Sequence, residues 1–426
     1  MKRVIDHPSA KELSVPKYSQ ITECRVGKSR HLVSVLNLGE QTLTGVFPSG
    51  PESKVTCGPL ELVWCGDSGL LQLRHTYEPG EMYGENYGYR SGLNQSMVAH
   101  LTAKVRFLEK LVRPVPGDVV LDIGSNDATT LKAYATPGLV RVGIDPTGQK
   151  FRQYYDASIT LLPDFFSEAA LHATGKKKPR IISSIAMFYD LDDPTRFAQE
   201  IEAVLDDRGV WHFEQSYMPS MLRLNSYDTI CHEHLEYYSL SVVKNILEAV
   251  GLKIVDVGMN AVNGGSFAVT ACKTANRQFV PNTPVINWLL EQEDRMALNT
   301  PRPYRDFEER VFRHREDLTR LVRSLVADGK KVLGYGASTK GNVVLQFCGF
   351  STKDIPGIAD VNPEKFGKVT PGTHIPIIPE DEARKINPDY FLVLPWHFKD
   401  GILRRESDFL AHGGKMIFPF PEIEIV

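Results

Sequence analysis

The chain has 426 residues, 42% of them hydrophobic and 24% charged, with 49 Lys+Arg against 52 Asp+Glu and a formal charge of −3. That length suggests two to four domains. The composition excludes disordered, fibrous and coiled-coil classes, and the near-neutral charge leaves no electrostatic footprint for nucleic acid or an anionic membrane. No apolar run approaches the roughly 18–20 residues that span a bilayer, and the first twenty residues lack the apolar core of a secretory signal. Six Cys are too few for a disulfide scaffold. The expectation is a soluble, cytoplasmic protein.

Residues 1–75 read as short strands and turns with Gly and Pro punctuation, as at Leu38-Gly39 and Pro48–Pro51. Cys24, Cys57 and Cys65 all fall here, and three thiols bunched at one end of a cytosolic chain suggest a metal. CRVG at 24–27 and CGDS at 65–68 each keep one Cys of a CxxC pair. With those two, Cys57 and His31 would complete a four-ligand zinc site; the alternative is a zinc-free β module held by packing. Residues 76–98 are rich in Tyr and Gly. A helix is predicted from Asn94 to about Leu111, where Val98, Leu101, Val105, Leu108 and Leu111 recur at three- and four-residue steps.

A βα alternation follows. Its strands are predicted at Val119–Ile123, Arg141–Ile144, Ile181–Ile185 and Gly209–Glu214, with a helix at Asp193–Leu205. Short apolar strands alternating with helices imply a parallel sheet covered on both faces. Segment 282–328 reads as helix, cut by Pro301 and Pro303, and looks like a connector. A second alternation then places strands at Lys331–Tyr335, Gly357–Asp360, Tyr390–Leu394 and Lys415–Phe418. The expected architecture is α/β in three parts: a small N-terminal module (1–75), a central Rossmann-like domain (76–280), and the connector with a C-terminal Rossmann-like domain (281–426).

Three motifs carry chemistry. VVLDIGSNDATTL (119–131) is a strand, a tight turn and a helix start, with Asp122 closing the strand and Gly124 freeing the backbone. Asp145 closes the next strand, where such an acid reaches ribose hydroxyls. The GxGxxG triple that a pyrophosphate needs is missing, so a nucleoside without phosphate fits better, and S-adenosylmethionine is that ligand. A plain structural turn is the alternative. In the second motif His232, Glu233 and His234 are consecutive, with Tyr227, Tyr237 and Tyr238 around them. Zincin histidines stand four apart, so the reading is a general base oriented by a carboxylate; the alternative is a polar surface loop. The third, GKKVLGYGASTKGN (329–342), is again strand, glycine turn and helix. Its Ser338, Thr339 and Lys340 stand at a helix N-terminus, a place that holds anions and phosphate above all. It suggests a nucleotide-bearing substrate, or else an α/β domain without a ligand.

With these motifs in this order, the chain resembles the S-adenosylmethionine-dependent C-methyltransferases of nucleotide-linked deoxysugars, the sugar C-3 methyltransferases. The resemblance spans nearly the whole chain: the Cys24 start, Leu36–Gln41, Cys65–Leu73, GYRSG, LDIGSND, the AMFYDLDDP run at 186–194, HEH, NGGS at 263–266 and GASTKGN. It implies a zinc-ribbon-like N-terminal module with four Cys ligands, two of which stand here as Gly27 and Ser68. Motifs and resemblance together give S-adenosylmethionine to Asp122, Gly124, Ser125, Asn126, Asp145, Met187 and Tyr87. They give catalysis to His234, Glu233, His232 and Tyr227, with Cys231 where the family has Tyr. They give a nucleoside-diphosphate keto-sugar to Asn263, Gly336, Ser338, Thr339, Lys340 and Asn342. The implied reaction puts a methyl group on C3 of a 4-keto-6-deoxy sugar through an enolate, at a site between the two sheets. His232 or a nearby Tyr would hydrogen-bond the enolate oxygen. A nicotinamide-dependent sugar-nucleotide oxidoreductase and a non-catalytic binding protein are the alternatives.

Overall fold

The structure, a computed structural model, describes residues 17–82 and 89–426. It opens with β1 (Tyr18–Gln20), β2 (Leu32–Thr42), β3 (Cys57–Cys65), β4 (Leu71–Leu73) and β5 (His75–Tyr77). β2 and β3 form an antiparallel hairpin of eleven and nine residues, longer than the short strands expected. Their length follows from Leu36, Leu38, Leu60, Leu62 and Trp64, which are all buried in one apolar cluster.

The central sheet contains β6 (Val119–Ile123), β7 (Val140–Ile144), β8 (Ile159–Leu162), β9 (Ile181–Ile185) and β10 (Val210–Ser216). After it come β11 (Glu236–Tyr237), β12 (Leu252–Asn260) and β13 (Ser266–Lys273). The strand order is β12-β13-β10-β9-β6-β7-β8, and β13 runs antiparallel to both its neighbours. Every residue of β6 is buried, as a strand covered on both faces requires. The order reverses between β6 and β9, the switch point at which open α/β sheets bind ligands beyond their carboxyl ends. The preceding helix runs Gln95–Val112, with the Asn94 side chain accepting from Ser96 N–H as its cap. β11 does not join this sheet. It pairs with β4, so the N-terminal sheet (β11-β4-β3-β2) takes a strand from far beyond residue 75.

Helices Thr283–Arg295 and Arg302–Ala327 connect to the last sheet, and the prolines fall where a helix tolerates them. The second helix buries Tyr304, Phe307, Val311, His314, Leu318 and Val322, one face at three- and four-residue steps. Then come β14 (Val332–Tyr335), β15 (Ile358–Asp360), β16 (Ile377–Pro379), β17 (Tyr390–Val393), β18 (Lys415–Phe418) and β19 (Glu424–Ile425). Their order is β16-β15-β14-β17-β18-β19, parallel except for β19.

One apolar cluster runs from β2 and β3 through the 302–327 helix into the last sheet, and a second joins the central sheet to Cys24, Cys65 and Leu70. The N-terminal module is thus packed into both α/β parts. Polar contacts reinforce this. Thr42 N–H donates to Gln346 Oε1 at 2.8 Å, Gln346 Nε2 donates to Thr42 O at 3.1 Å, and Asn342 Nδ2 donates to Thr44 O at 2.7 Å. Among the described residues no helix is long and apolar enough to cross a membrane.

Candidate active site

The glycine turn after β6 is built by backbone geometry. Gly124 has φ +73°, and its N–H donates to Ile144 O at 2.8 Å. A Cβ there would crowd Met187, whose Cγ would lie 3.2 Å away, so the turn can hold only glycine comfortably. Asp145 ties the turn down. Its Oδ2 accepts from Asn126 N–H at 2.7 Å, and its Oδ1 accepts from Thr147 N–H and Oγ–H, each at 2.6 Å. Ser125 Oγ meets the Tyr155 hydroxyl at 2.7 Å. Asp122 lies beneath the turn, where burial pushes its carboxyl up to about 7 against the Ser183 Oγ–H bond at 2.5 Å. A cavity of about 320 Å³ opens above, lined by Asp122, Gly124, Ser125, Asn126, Asp145 and Met187 among others. Tyr87 lies outside the described residues.

The same cavity is walled by the loop after β10. His234 Nδ1 lies 2.9 Å from Thr229 O. A carbonyl only accepts, so Nδ1 carries the proton and Nε2 keeps its lone pair. Burial, with the Lys340 ammonium nearby, lowers the His234 pKa to about 3, so the ring is neutral at physiological pH. Its orienting partner is therefore a carbonyl, where the motif suggested Glu233. Glu233 lines the cavity, with burial raising its pKa and its Oε2 buried without a hydrogen bond. Gly45 of the N-terminal module makes room for it, since a Cβ there would run into the Glu233 carboxyl.

The other two residues in the expected catalytic set lie elsewhere. His232 is fully buried outside the cavity lining, edge-on to Tyr77 at 4.7 Å between ring centroids. Tyr227 is also fully buried outside it, packed on Phe347 and Phe420. Its hydroxyl donates to His314 Nδ1 at 3.1 Å, because His314 Nε2–H is given to Pro419 O at 2.5 Å. Apolar packing outcompeted exposure for both side chains.

The second glycine turn repeats the first. Gly336 has φ +77° and donates to Ala359 O at 2.7 Å, and Asp360 Oδ2 accepts from Ala337 N–H at 2.7 Å. Unlike the first turn, it is filled. Pro395 lies where a Gly336 Cβ would be, Ser338 Oγ accepts from Gly341 N–H at 3.0 Å, and Asn342 holds Thr44. Gly336, Ser338 and Asn342 are therefore engaged in structure, outside the cavity lining. Thr339 and Lys340 do line it, with Asn263, and Lys340 Nζ donates to Asn263 O at 2.7 Å.

A further cluster, reaching the cavity wall through Glu214, was not expected from the sequence. Glu214 at the end of β10 meets His100 Nε2 at 2.5 Å, Lys104 Nζ at 2.6 Å and Asn260 Nδ2 at 2.7 Å. Burial works to raise its pKa, but the His100 and Lys104 contacts outweigh that and hold it below the usual carboxylate range. An acid inside an apolar strand, and His and Lys four apart on a predicted helix, were its available signals.

Comparison with known proteins bears on this geometry. A family model described as "Methyltransferase domain" matches residues 97–257, one described as "C-methyltransferase C-terminal domain" matches 261–421, and one described as "Putative zinc binding domain" matches 24–83. C-methyltransferase NovU of Streptomyces niveus is 33% identical over 411 residues, covering 95% of this chain and 97% of NovU. The chain belongs to the S-adenosylmethionine-dependent C-methyltransferases. Among solved structures, magnesium protoporphyrin IX methyltransferase ChlM of Synechocystis PCC 6803 with bound SAH aligns at TM-score 0.33 and 14% identity, covering 42% of this chain and 88% of that one. The CcbJ methyltransferase of Streptomyces caelestis aligns at TM-score 0.32 and 11% identity, covering 41% and 90%. Membership sets aside the oxidoreductase reading of the two glycine turns.

The C-methyltransferase does not assemble the zinc set expected from its sequence. Cys57 and Cys65 stand at opposite ends of one nine-residue strand, about 26 Å apart at the usual rise per residue. His31 is exposed and pairs with Asp67 at 3.3 Å. Cys24 Sγ instead contacts Ser68 Oγ at 3.2 Å and Gln72 Nε2 at 3.1 Å. Among the described residues no group of three or more His, Cys, Asp or Glu could hold a metal. The four residues do not fit zinc. What ties this corner together is Arg25, which donates to Leu73 O and Thr76 Oγ1, each at 2.7 Å, and lies 3.5 Å from Glu236 on β11.

Proposed function

We propose that the enzyme methylates C3, the carbon beside the ketone, of a nucleoside-diphosphate-linked 4-keto-6-deoxy sugar. The observation that carries this reading is His234: a neutral imidazole, proton fixed on Nδ1, lining the cavity that the first glycine turn also lines. A carbon beside a ketone is a weak acid, and the Nε2 lone pair left free by the Nδ1–Thr229 contact is a group on this wall that can accept its proton. The motif resemblance supplies the sugar class. S-adenosylmethionine, when bound, supplies an electrophilic methyl group. In this proposal Asp145, Asn126 and Gly124 shape the nucleoside end. His234 Nε2 takes the C3 proton, the C–H electron pair becomes the enolate, and the enolate carbon forms the new bond to the methyl as the sulfide leaves and the ketone is restored. The proton on His234 passes to water. Because Thr229 O already orients the imidazole, Glu233 is left to bind a sugar hydroxyl.

The test isolates proton removal. In D₂O without the methyl donor, the wild type should exchange the C3 hydrogen of a keto-sugar nucleotide. His234→Ala should lose about 10²–10⁴-fold of that exchange while its affinity for S-adenosylmethionine stays within twofold. A wild type that neither exchanges nor methylates any keto-sugar nucleotide refutes the reading.

A further inference from the structure

Lys340 belongs to the last α/β part by sequence, on the first turn of the helix Thr339–Phe347. Its side chain nevertheless leaves that part and enters the cavity shared by the first glycine turn and His234. The ammonium donates to Asn263 O at 2.7 Å, and among the described residues no carboxylate lies within ion-pair distance of it. Asn263 is itself held in the left-handed region, φ 55°, which turns its carbonyl out of the β12–β13 connection. Lys340 is half-buried, and a partly desolvated cation without an ion-pair partner is relieved by negative charge that arrives with a ligand or develops during reaction. Burial lowers the Lys340 pKa, with the more distant Asp228 and Cys231 opposing.

Two anions could meet this ammonium: the diphosphate of the substrate or the oxygen of the enolate. A phosphate cradle needs the main-chain and side-chain donors of the turn around it. Here Ala337 N–H is given to Asp360, Gly341 N–H to Ser338, and the Asn342 amide to Thr44. These three donors are spent on the turn itself and on the N-terminal module, which leaves the Thr339 and Lys340 N–H groups at the helix start. Lys340 instead shares the cavity wall with His234 and Glu233. Of the donors expected at the enolate oxygen, His232 or a nearby Tyr, His232 is buried elsewhere and Tyr189 lines the cavity.

We propose that Lys340 is a catalytic residue: its ammonium binds the ketone oxygen of the substrate and stabilises the negative charge that grows there as His234 Nε2 removes the neighbouring proton. The inference rests on the keto-sugar reading above. The proton moves from carbon to His234, the electron pair settles on the oxygen beside Lys340, and Lys340 keeps all its protons throughout. The C-terminal part thereby contributes a reacting-centre residue, and neither α/β part holds a complete site alone.

The experiment measures C3 hydrogen exchange in D₂O at saturating keto-sugar nucleotide, and separately the substrate Kd by calorimetry, for the wild type, Lys340→Met and Lys340→Arg. Lys340→Met should lose about 10²–10³-fold of exchange turnover, the size typical of removing one oxyanion donor, while its Kd rises less than fivefold. Lys340→Arg restores a positive charge that cannot act as a base, and should recover at least tenfold over Lys340→Met. The proposal is overturned if Lys340→Met keeps its turnover and loses affinity, as a diphosphate anchor would, or if Lys340→Arg is no better than Lys340→Met. A wild type without exchange fails the underlying keto-sugar reading instead, so the two failures are told apart.

Discussion

Asp145 gives both carboxylate oxygens to the main chain of the turn and its neighbour, and Asp360 does the same at the second turn, accepting from Ala337 and Asn362 N–H. Asp145 lines the cavity and Asp360 does not. The two aspartates therefore separate structural from ligand effects. Hydrogen bonds to charged groups contribute about 1.5–3 kcal/mol each, so Asp145→Ala and Asp360→Ala should both lower Tm by several degrees. Asp145→Ala alone should weaken S-adenosylmethionine binding, by tenfold or more in calorimetry. Equal affinities in the two variants would remove Asp145 from the nucleoside site. His234 makes a pH prediction. An imidazole acts as a base only when neutral, and burial moves its protonation from near 6.5 down to about 3. Exchange measured without the methyl donor should hold its rate as pH falls through 6.5 to about 5. An acid limb centred near 6.5 would show an ordinary, exposed imidazole at work.

Single elements were legible where one physical requirement dominated. β6 and β9 fall on the ranges expected from their apolar runs, because a strand buried on both faces has little choice of residue. The glycine turns were legible because a positive φ selects glycine. Ligand sets were harder, since spacing along the chain says little about distance across it. Cys57 and Cys65 are close in number and lie at the two ends of a straight strand. The expected set of Cys24, Cys57, Cys65 and His31 consequently falls, although residues 24–83 match a family model described as "Putative zinc binding domain". Dialysed protein should contain far less than one zinc per chain by metal analysis, and a chelator should leave Tm unchanged. A stoichiometric zinc released only on unfolding would show that other donors assemble a site. Arg25→Ala, by contrast, should destabilise the module by about 1.5–3 kcal/mol for each of the charged-donor hydrogen bonds to Leu73 O and Thr76 Oγ1 that it removes.

At the scale of the whole molecule, three α/β and β parts were readable in order, but not how they share their interiors. β11 crosses to the N-terminal sheet, Trp64 packs on Tyr304 at 5.4 Å, and the His314–Tyr227 pair is buried between helix and loop. None of these contacts is local, so no periodicity announces them, and the same is true of Lys340 and of His100 meeting Glu214. A chain lacking residues 1–75 would expose the faces that the module covers. It should aggregate or unfold without a cooperative transition in calorimetry; a sharp transition at the full-length Tm would show that the module is dispensable. One contact has a further effect on how molecules meet one another. β2 is the outermost strand of its sheet, and such a border offers amide and carbonyl groups on which a foreign strand can zip. Gln346 answers both main-chain groups of Thr42 as a neighbouring strand would, but a side chain cannot template the next strand. The sheet is thus sealed at that position by a glutamine, and self-stacking of copies through this border is blocked there.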